Sequence, residues 1–318
     1  MNVVKEMICA SCGGMTESDP CVVCDDQATL NGEYQLLECL GRGGFGTTYL
    51  AEGPDGVRVA VKELPYHLAA SPKARELLFR EIRILRELDH QAIPKYLADF
   101  STGRGRHRVH CLVQEYVEGH TLAHEMENHR YSPAEVLDVL DKLLPILTYL
   151  HSLSPPVIHR DIKPANIIRR RDGSLALVDF GSVRDVLATT LGGSTVIGTF
   201  GYMAPEQFRG DAVPQTDLHA LGALAVALLT RKEPAAVLDE QNRITWRRFT
   251  DVHPALGELV DDLLAPEVAQ RPATAVEGAK RVALVADLIT EPAYADPRPF
   301  EPEPFEEPIA TVPQGGRS

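Results

Sequence analysis

The chain has 318 residues, 44% hydrophobic and 24% charged, the composition of an ordinary globular protein with room for one large or two medium cores. Its net charge of -13 argues against a nucleic-acid partner, which selects a basic face to neutralise phosphates. The longest weakly charged stretch, 219–230, falls short of the ~20 apolar residues of a spanning helix, and the N-terminus lacks a signal peptide's apolar core, so the chain reads as cytoplasmic with no membrane segment.

Charge is concentrated at the ends. Residues 1–33 hold six carboxylates (Glu6, Glu17, Asp19, Asp25, Asp26, Glu33) against Lys5, and residues 291–318 hold six against two arginines. Residues 1–30 also carry four of the six cysteines, as the pairs Cys9-x2-Cys12 and Cys21-x2-Cys24 with eight residues between them. Each pair can form a knuckle offering two thiolates to one tetrahedral Zn2+, and Gly13-Gly14 permits the first turn. Two disulfides need a secretory context and a redox dithiol needs a βαβ setting, so zinc is the preferred reading, with iron–sulfur or redox chemistry as the alternative. So few apolar residues predict a module that folds only around its metal, as a closed structural site. Cys39 and Cys111 stand alone in strand-like runs and read as small core residues.

Tyr34–Leu40 and Thr47–Ala51 flank a glycine cluster, and 57–64 follows a Pro54-Asp55-Gly56 turn signal; all three predict strands. Ser71-Pro72 predicts the start of a helix whose apolar face is Leu77, Leu78, Ile82, Leu85 and Leu88. A second helix opens on the capping box Ser132-Pro133-Ala134-Glu135 and contains Pro145, which predicts a kink. Residues 218–229 are apolar on nearly every side and predict the central helix of a helical lobe. The layout is α+β with two lobes, about 34–115 and 119–285. Seven prolines alternate with glutamates over 291–318, predicting a disordered tail.

Gly41-Arg42-Gly43-Gly44-Phe45-Gly46 lies between two predicted strands. The dinucleotide-binding fingerprint has the same spacing but needs a helix directly after the glycines, whereas Thr47-Thr48-Tyr49-Leu50 continues as strand. A glycine-rich hairpin folded over phosphates fits better. Val59-Ala60-Val61-Lys62 puts a lysine at the end of an apolar strand, where an unpaired ammonium is costly. Glu81, three or four residues from Leu77, Leu78 and Leu85, projects from the inward face of its helix and would answer that charge. The plain alternative is a snorkelling Lys62 and a Glu81 at the solvated edge of its helix.

His159-Arg160-Asp161-Ile162-Lys163-Pro164-Ala165-Asn166 precedes a short apolar strand, and Leu175-Ala176-Leu177-Val178 leads into Asp179-Phe180-Gly181. Together with the glycine cluster and Lys62, these resemble the motifs of protein kinases, in the family's order and over about residues 34–285, and in particular the bacterial-type (eukaryotic-like) serine/threonine kinases. The resemblance implies a two-lobed kinase fold, ATP with Mg2+ (or Mn2+), and protein substrates bearing serine or threonine. By position it implies that Leu40, Gly41, Arg42, Gly43, Gly44, Phe45, Gly46, Thr47 and Thr48 cover the nucleotide. Lys62, held by Glu81, would bind its α- and β-phosphates. Asp161 would orient the attacking hydroxyl, Lys163 would contact the transferring phosphate, and Asn166 and Asp179 would hold magnesium. Gln114 would be the gatekeeper, the backbones of Glu115 and Val117 the adenine partners, and Ala60 and Ile168 the lining of the base. His159, Phe180 and Gly181 would be structural.

The segment from Gly198-Thr199 to Pro205-Glu206 resembles the peptide-docking segment, with Thr199 structural, Arg271 as the ion-pair partner of Glu206, and Asp217 bracing the catalytic loop. Arg160 before Asp161 resembles kinases whose activation loop, here 182–203, carries a phosphate; Thr189, Thr190, Ser194 and Thr195 are the candidate acceptors. Thr48 stands where the family usually has valine, and His219 where an aromatic is common. Three functions compete: an active, autophosphorylating serine/threonine kinase; a nucleotide-binding scaffold or pseudokinase acting through the zinc module; and a small-molecule kinase. The full set of catalytic residues disfavours the second, and the docking segment with its ion pair disfavours the third. The zinc module reads as a fold stabiliser or as a docking site for a partner; docking is favoured because the kinase fold is complete without it.

Overall fold

The computed structural model describes residues 6–43, 46–65, 72–102, 109–180, 201–241 and 243–289, with the exposure of Gly43 and the side chains of residues 65, 72–75, 77, 78 and 81 outside that description. An antiparallel sheet dominates the first half. Its strands are β1 (Met7–Ile8), β2 (Met15–Thr16), β3 (Gln35–Gly43), β4 (Gly46–Glu52), β5 (Arg58–Pro65), β6 (Tyr96–Thr102) and β7 (Val109–Glu115), in the order β2-β1-β3-β4-β5-β7-β6. Period-two alternation separates the two faces of β5. Val59 and Val61 join Leu36, Ala51, Cys111 and Val113 in one buried cluster, and Ala60 and Lys62 turn to the opposite face. Helix α1 (Pro72–Glu87) covers that second face, where Leu85 and Leu88 share a buried cluster with Leu112 of β7.

The cysteine segment continues this sheet. Ile8 of β1 pairs with Leu36 of β3, the Ala10 N–H donates to the Ala28 carbonyl at 2.8 Å, and Ile8 and Ala10 pack against Leu30, Tyr34 and Leu36. Leu36 lies opposite Ala51, Ala51 opposite Val59, and Val59 opposite Glu115. The segment therefore joins the end of the sheet at which the chain crosses into the second lobe.

That lobe contains α2 (Leu122–Asn128), α3 (Pro133–Ser152), α4 (Pro214–Thr230), α5 (Pro254–Leu263) and α6 (Ala275–Ile289), with a small sheet of β8 (His120–Thr121), β9 (Ile167–Arg169) and β10 (Leu175–Leu177) beneath the first lobe. The Ser132 hydroxyl accepts from Glu135 N–H and the Glu135 carboxylate from Ser132 N–H, so α3 starts on its capping box; Pro145 is accommodated within one continuous helix. Helix α4 is buried from Thr216 to Leu229, as expected for the centre of a helical lobe. It begins at Pro214, three residues ahead of Asp217, because proline suits the first helical position and the Thr216 hydroxyl accepts from Val213 N–H. Gly222 lets α5 approach: a Cβ there would lie 2.9 Å from the Leu263 Cβ. The architecture is the α+β, two-lobed one expected from the sequence.

One ion pair ties the segment before α4 to the turn before α6. Arg271, with a fully buried side chain, donates to both Glu206 oxygens at 2.6 and 3.0 Å and to the carbonyls of Ala265, Pro266 and Gln215. Burial opposes ionisation of Glu206, yet Arg271 and the Thr216 hydroxyl outweigh it and hold the carboxyl below its ordinary value. The pair's contribution is therefore full above about pH 4.3 and is lost as pH falls through the lowered value. Arg271→Met strands a buried carboxylate, and urea denaturation at pH 7 is expected to show a loss of ~3–5 kcal/mol.

Candidate active site and cysteine cluster

The β3–β4 hairpin folds onto β5 because of one glycine. Gly46 has φ +142°, and a Cβ there would lie 1.9 Å from the Glu63 carbonyl, so no other residue fits. Gly44 and Phe45 lie outside the described residues. Leu40, Gly41 and Arg42 are exposed along the hairpin, and Gly43 pairs with Gly46 at its tip. Thr48 lies opposite Lys62 and Ala60 opposite Gln114, which places these four residues on one face, with Thr47 turned from it. Glu115 donates its N–H to the Lys95 carbonyl at 2.9 Å, so that N–H is already committed. Val117 is buried just beyond, and Ile168 of β9 sits in the small sheet of the lobe below.

A buried carboxylate shapes the loop under this face. Asp217 accepts from the backbone N–H groups of His159 and Arg160, each at 2.9 Å, and lies 2.9 Å from His151 Nε2. Arg160 thereby holds φ 68°, a left-handed conformation that non-glycine residues rarely adopt. The His159 Nε2 lies 3.2 Å from the Val178 carbonyl while Nδ1 accepts from Asp161 N–H, and its ring is 4.6 Å from that of Phe180.

These contacts aim Asp161, which is buried. Its Oδ2 accepts from Asn166 Nδ2 at 2.7 Å and lies 3.0 Å from Lys163 Nζ; Asn166 Nδ2 also donates to the Asp161 carbonyl. Asp179, in the left-handed region at φ 63°, forms an ion pair with Lys62 across the lobes. Gly181, Thr189, Thr190, Ser194, Thr195 and Thr199 lie outside the described residues. His219 fills a buried place in α4 as a neutral imidazole: burial, then the nearby Arg271 charge, push its pKa down to about 4. Three contributors carried no sequence signal beyond an ordinary polar residue on a helix or turn. They are His151 beside Asp217, Thr216 on Glu206, and Gln207, whose Nε2 donates to the Arg160 carbonyl at 2.9 Å.

The four N-terminal cysteines converge, with sulfurs all within 4.8 Å of one another. Cys9 Sγ is 3.7 Å from Cys24 Sγ and Cys12 Sγ is 3.9 Å from Cys21 Sγ, too long for a disulfide and close to the ~3.8 Å edge of a tetrahedron with Zn–S bonds of ~2.3 Å. Backbone N–H groups of Ser11, Gly14 and Val23 donate to Cys9, Cys12 and Cys21. The Val23 bond in particular lowers the pKa of the Cys21 thiol, while burial raises that of Cys9. Outside the knuckles, burial pushes the Cys111 thiol up and leaves it inert.

The family described as Protein kinase domain matches residues 34–281. Serine/threonine-protein kinase PknA of a Nostoc species is 39% identical over 269 residues, covering 78% of this chain and 46% of that protein. Serine/threonine-protein kinase B of a Synechocystis species is 33% identical over 296 residues, covering 87% and 49%. The chain thus spans about half the length of the curated relatives it matches. The solved structure "PpkA-294 apo form" superposes with a TM-score of 0.63 at 22% identity, over 79% of this chain and 96% of that one, a likeness of fold.

Gly46→Ala forces the hairpin away from β5 at a cost of ~1–3 kcal/mol in strain. For the ATP-dependent transfer that the family implies, steady-state kinetics are expected to show KM for ATP raised about tenfold. An unchanged KM would mean that the hairpin makes no contact with nucleotide.

Proposed function

Because the chain belongs to the protein kinase domain family, we propose that it transfers the γ-phosphate of ATP to serine or threonine hydroxyls of proteins. The observation that carries this reading is the convergence of Lys163 and Asn166 on Asp161, at 3.0 and 2.7 Å, together with the Lys62–Asp179 pair. Phosphoryl transfer asks for an aligned nucleophile and balanced charge more than for covalent help from protein.

Each residue then has a task. Asp161, held at Oδ2 by Asn166 and Lys163, takes the hydrogen bond of the attacking hydroxyl. Lys163 lies beside the path of the transferring phosphoryl group, and Lys62 on β5 meets the α- and β-phosphates beneath the glycine hairpin. The family implies magnesium with ATP, and the donors present, a carboxylate and an amide oxygen, suit that hard cation. Asn166 and Asp179 would hold it: Asn166 Nδ2 is committed to Asp161, which turns Oδ1 outward. Bound there, magnesium balances charge on the phosphate oxygens. Adenine would rest between Thr48, Ala60 and Ile168, bonded by the Glu115 carbonyl and the Val117 backbone. Phosphorylation at Thr189, Thr190, Ser194 or Thr195 would give Arg160 an anionic partner. Among the described residues no helix is long and apolar enough to cross a membrane. We place the activity in the cytoplasm, where ATP is at hand and thiols stay reduced.

We further assign the four cysteines to a structural Zn2+, and the module's outer face to a partner. Met15, Val22 and Val23 are exposed, 51–75% accessible, and the described residues of the module, 6–30, carry five carboxylates and no cation, so an apolar, basic segment is the complementary partner.

Two measurements test these assignments. With labelled ATP, magnesium and a generic basic protein, Asp161→Asn is expected to cut phosphate transfer by at least ~100-fold while ATP still binds; equal labelling by both proteins would sink the catalytic claim. Elemental analysis is expected to find one zinc per chain. Chelation should then lower the melting temperature of the first lobe, because β1 pairs with β3.

A further inference from the structure

A buried polar cluster behind α1 takes no part in the chemistry above. Asp99 on β6, with a side chain 10% exposed, accepts from Arg86 of α1 and from the Tyr96 hydroxyl, and its other oxygen lies 3.3 Å from His110 Nε2 on β7. His110 Nδ1 is 3.1 Å from the Ser101 hydroxyl. The Arg86 guanidinium lies 4.9 Å over the Tyr96 ring, and the Phe79 ring of α1 meets the His110 ring edge-on at 5.5 Å. Burial opposes ionisation of Asp99, yet the Tyr96 and Arg86 hydrogen bonds outweigh it and keep the carboxyl below its ordinary value. The cluster is thus an ionised clamp with one jaw on the helix and the other on the sheet.

Strand register connects this clamp to the active site. Lys62 of β5 lies opposite Leu112 of β7, and Leu112 lies opposite Asp99 of β6. Residues directly opposite one another share a face, so Lys62, Leu112 and Asp99 form one row about 10 Å long on the side that α1 covers. Arg86 answers Asp99 at one end of the row. Along the helix axis Phe79 and Arg86 bracket Glu81, lying about 3 Å before it and about 7.5 Å after it. The charges alternate, with a cation and an anion on the sheet and an anion and a cation in helix order. A one-turn slip of α1 would bring the wrong residues to both.

We propose that Asp99, with His110 behind it, is a positioning residue for catalysis: by holding Arg86 it fixes the rotation and register at which α1 presents Glu81 to Lys62. This rests on the family-implied pairing of Lys62 with Glu81, and the test separates the two claims. Phosphate transfer is measured in the full chain for wild type, Asp99→Asn, Arg86→Gln, Glu81→Gln, and Asp99→Asn combined with Glu81→Gln. Because misplacing a catalytic contact by about 1 Å is very costly, Asp99→Asn and Arg86→Gln are each expected to lower kcat ~10-fold or more, with KM for protein substrate within about twofold of wild type. In the Glu81→Gln background, Asp99→Asn is expected to cost less than about twofold more, since its effect passes through Glu81.

Equal losses in both backgrounds would overturn the proposal and leave Asp99 a plain stabiliser. Arg86 is half-exposed, so Arg86→Gln folds even where Asp99→Asn does not. Wild-type kcat in Arg86→Gln would overturn the clamp by itself. Wild-type activity in Glu81→Gln alone would instead refute the Lys62–Glu81 reading on which the clamp depends.

Discussion

The loop that carries Asp161 depends on a buried carboxylate on the helix beneath it. Asp217 is fully buried and accepts from two successive backbone N–H groups, those of His159 and Arg160. A left-handed arginine costs ~1–3 kcal/mol, and a conformation so unfavourable persists only where its surroundings over-determine it. Here the surroundings are the Asp217 oxygens on one side and Gln207, bonded to the Arg160 carbonyl, on the other. The reversal at Arg160 turns Asp161 toward Lys163 and Asn166. Substituting Asp217 would therefore act on geometry ahead of charge. Helix α4, apolar on nearly all sides, is the fixed body from which the whole loop hangs.

Among the described residues several polar contacts join the two lobes, among them Leu177 N–H to the Ala92 carbonyl and Arg170 to the Gln91 carbonyl, and one of them is an ion pair. Asp179 is held at a positive φ next to Phe180, whose ring packs on His159, and it reaches across to Lys62. A lysine at the end of an apolar strand thus gains a counter-charge from the other lobe, so neither charge is left uncompensated at the interface. The Glu206–Arg271 pair solves a related problem deeper down. All of the arginine's donors are directed to carboxylate or carbonyl oxygens, and desolvation is offset by hydrogen bonds as well as by charge.

Much of this was legible in the sequence where one residue type has one physical use. The capping box at Ser132, the apolar run of α4 and the paired cysteines each correspond to an element with that chemistry. The two-lobed layout followed from the order of strand-like and helix-like segments. What was illegible depends on tertiary register. Nothing local marks Asp99 as the partner of Arg86, because their meeting requires β6 to lie beside β7 with Asp99 opposite Leu112. Likewise, His151 is an ordinary helix residue until α4 brings Asp217 to it. The apolar run 218–229 marks the body of α4, and Pro214 marks its first turn four residues earlier.

The first lobe works as a two-faced sheet, and the faces carry different kinds of information. On one face the core of Leu36, Ala51, Val59, Val61, Cys111 and Val113 extends through Leu30 and Tyr34 to Ile8 and Ala10 of the cysteine segment. On the other, the row of Lys62, Leu112 and Asp99 faces α1 and the nucleotide side. Among the described residues the cysteine segment joins the sheet at β3, at the end remote from the glycine hairpin. A partner seated on Met15, Val22 and Val23 would leave the cleft open. Its effect on turnover would have to pass through the packing of Leu36 on its neighbours, and close-packed cores transmit such strain because they have little room to absorb it.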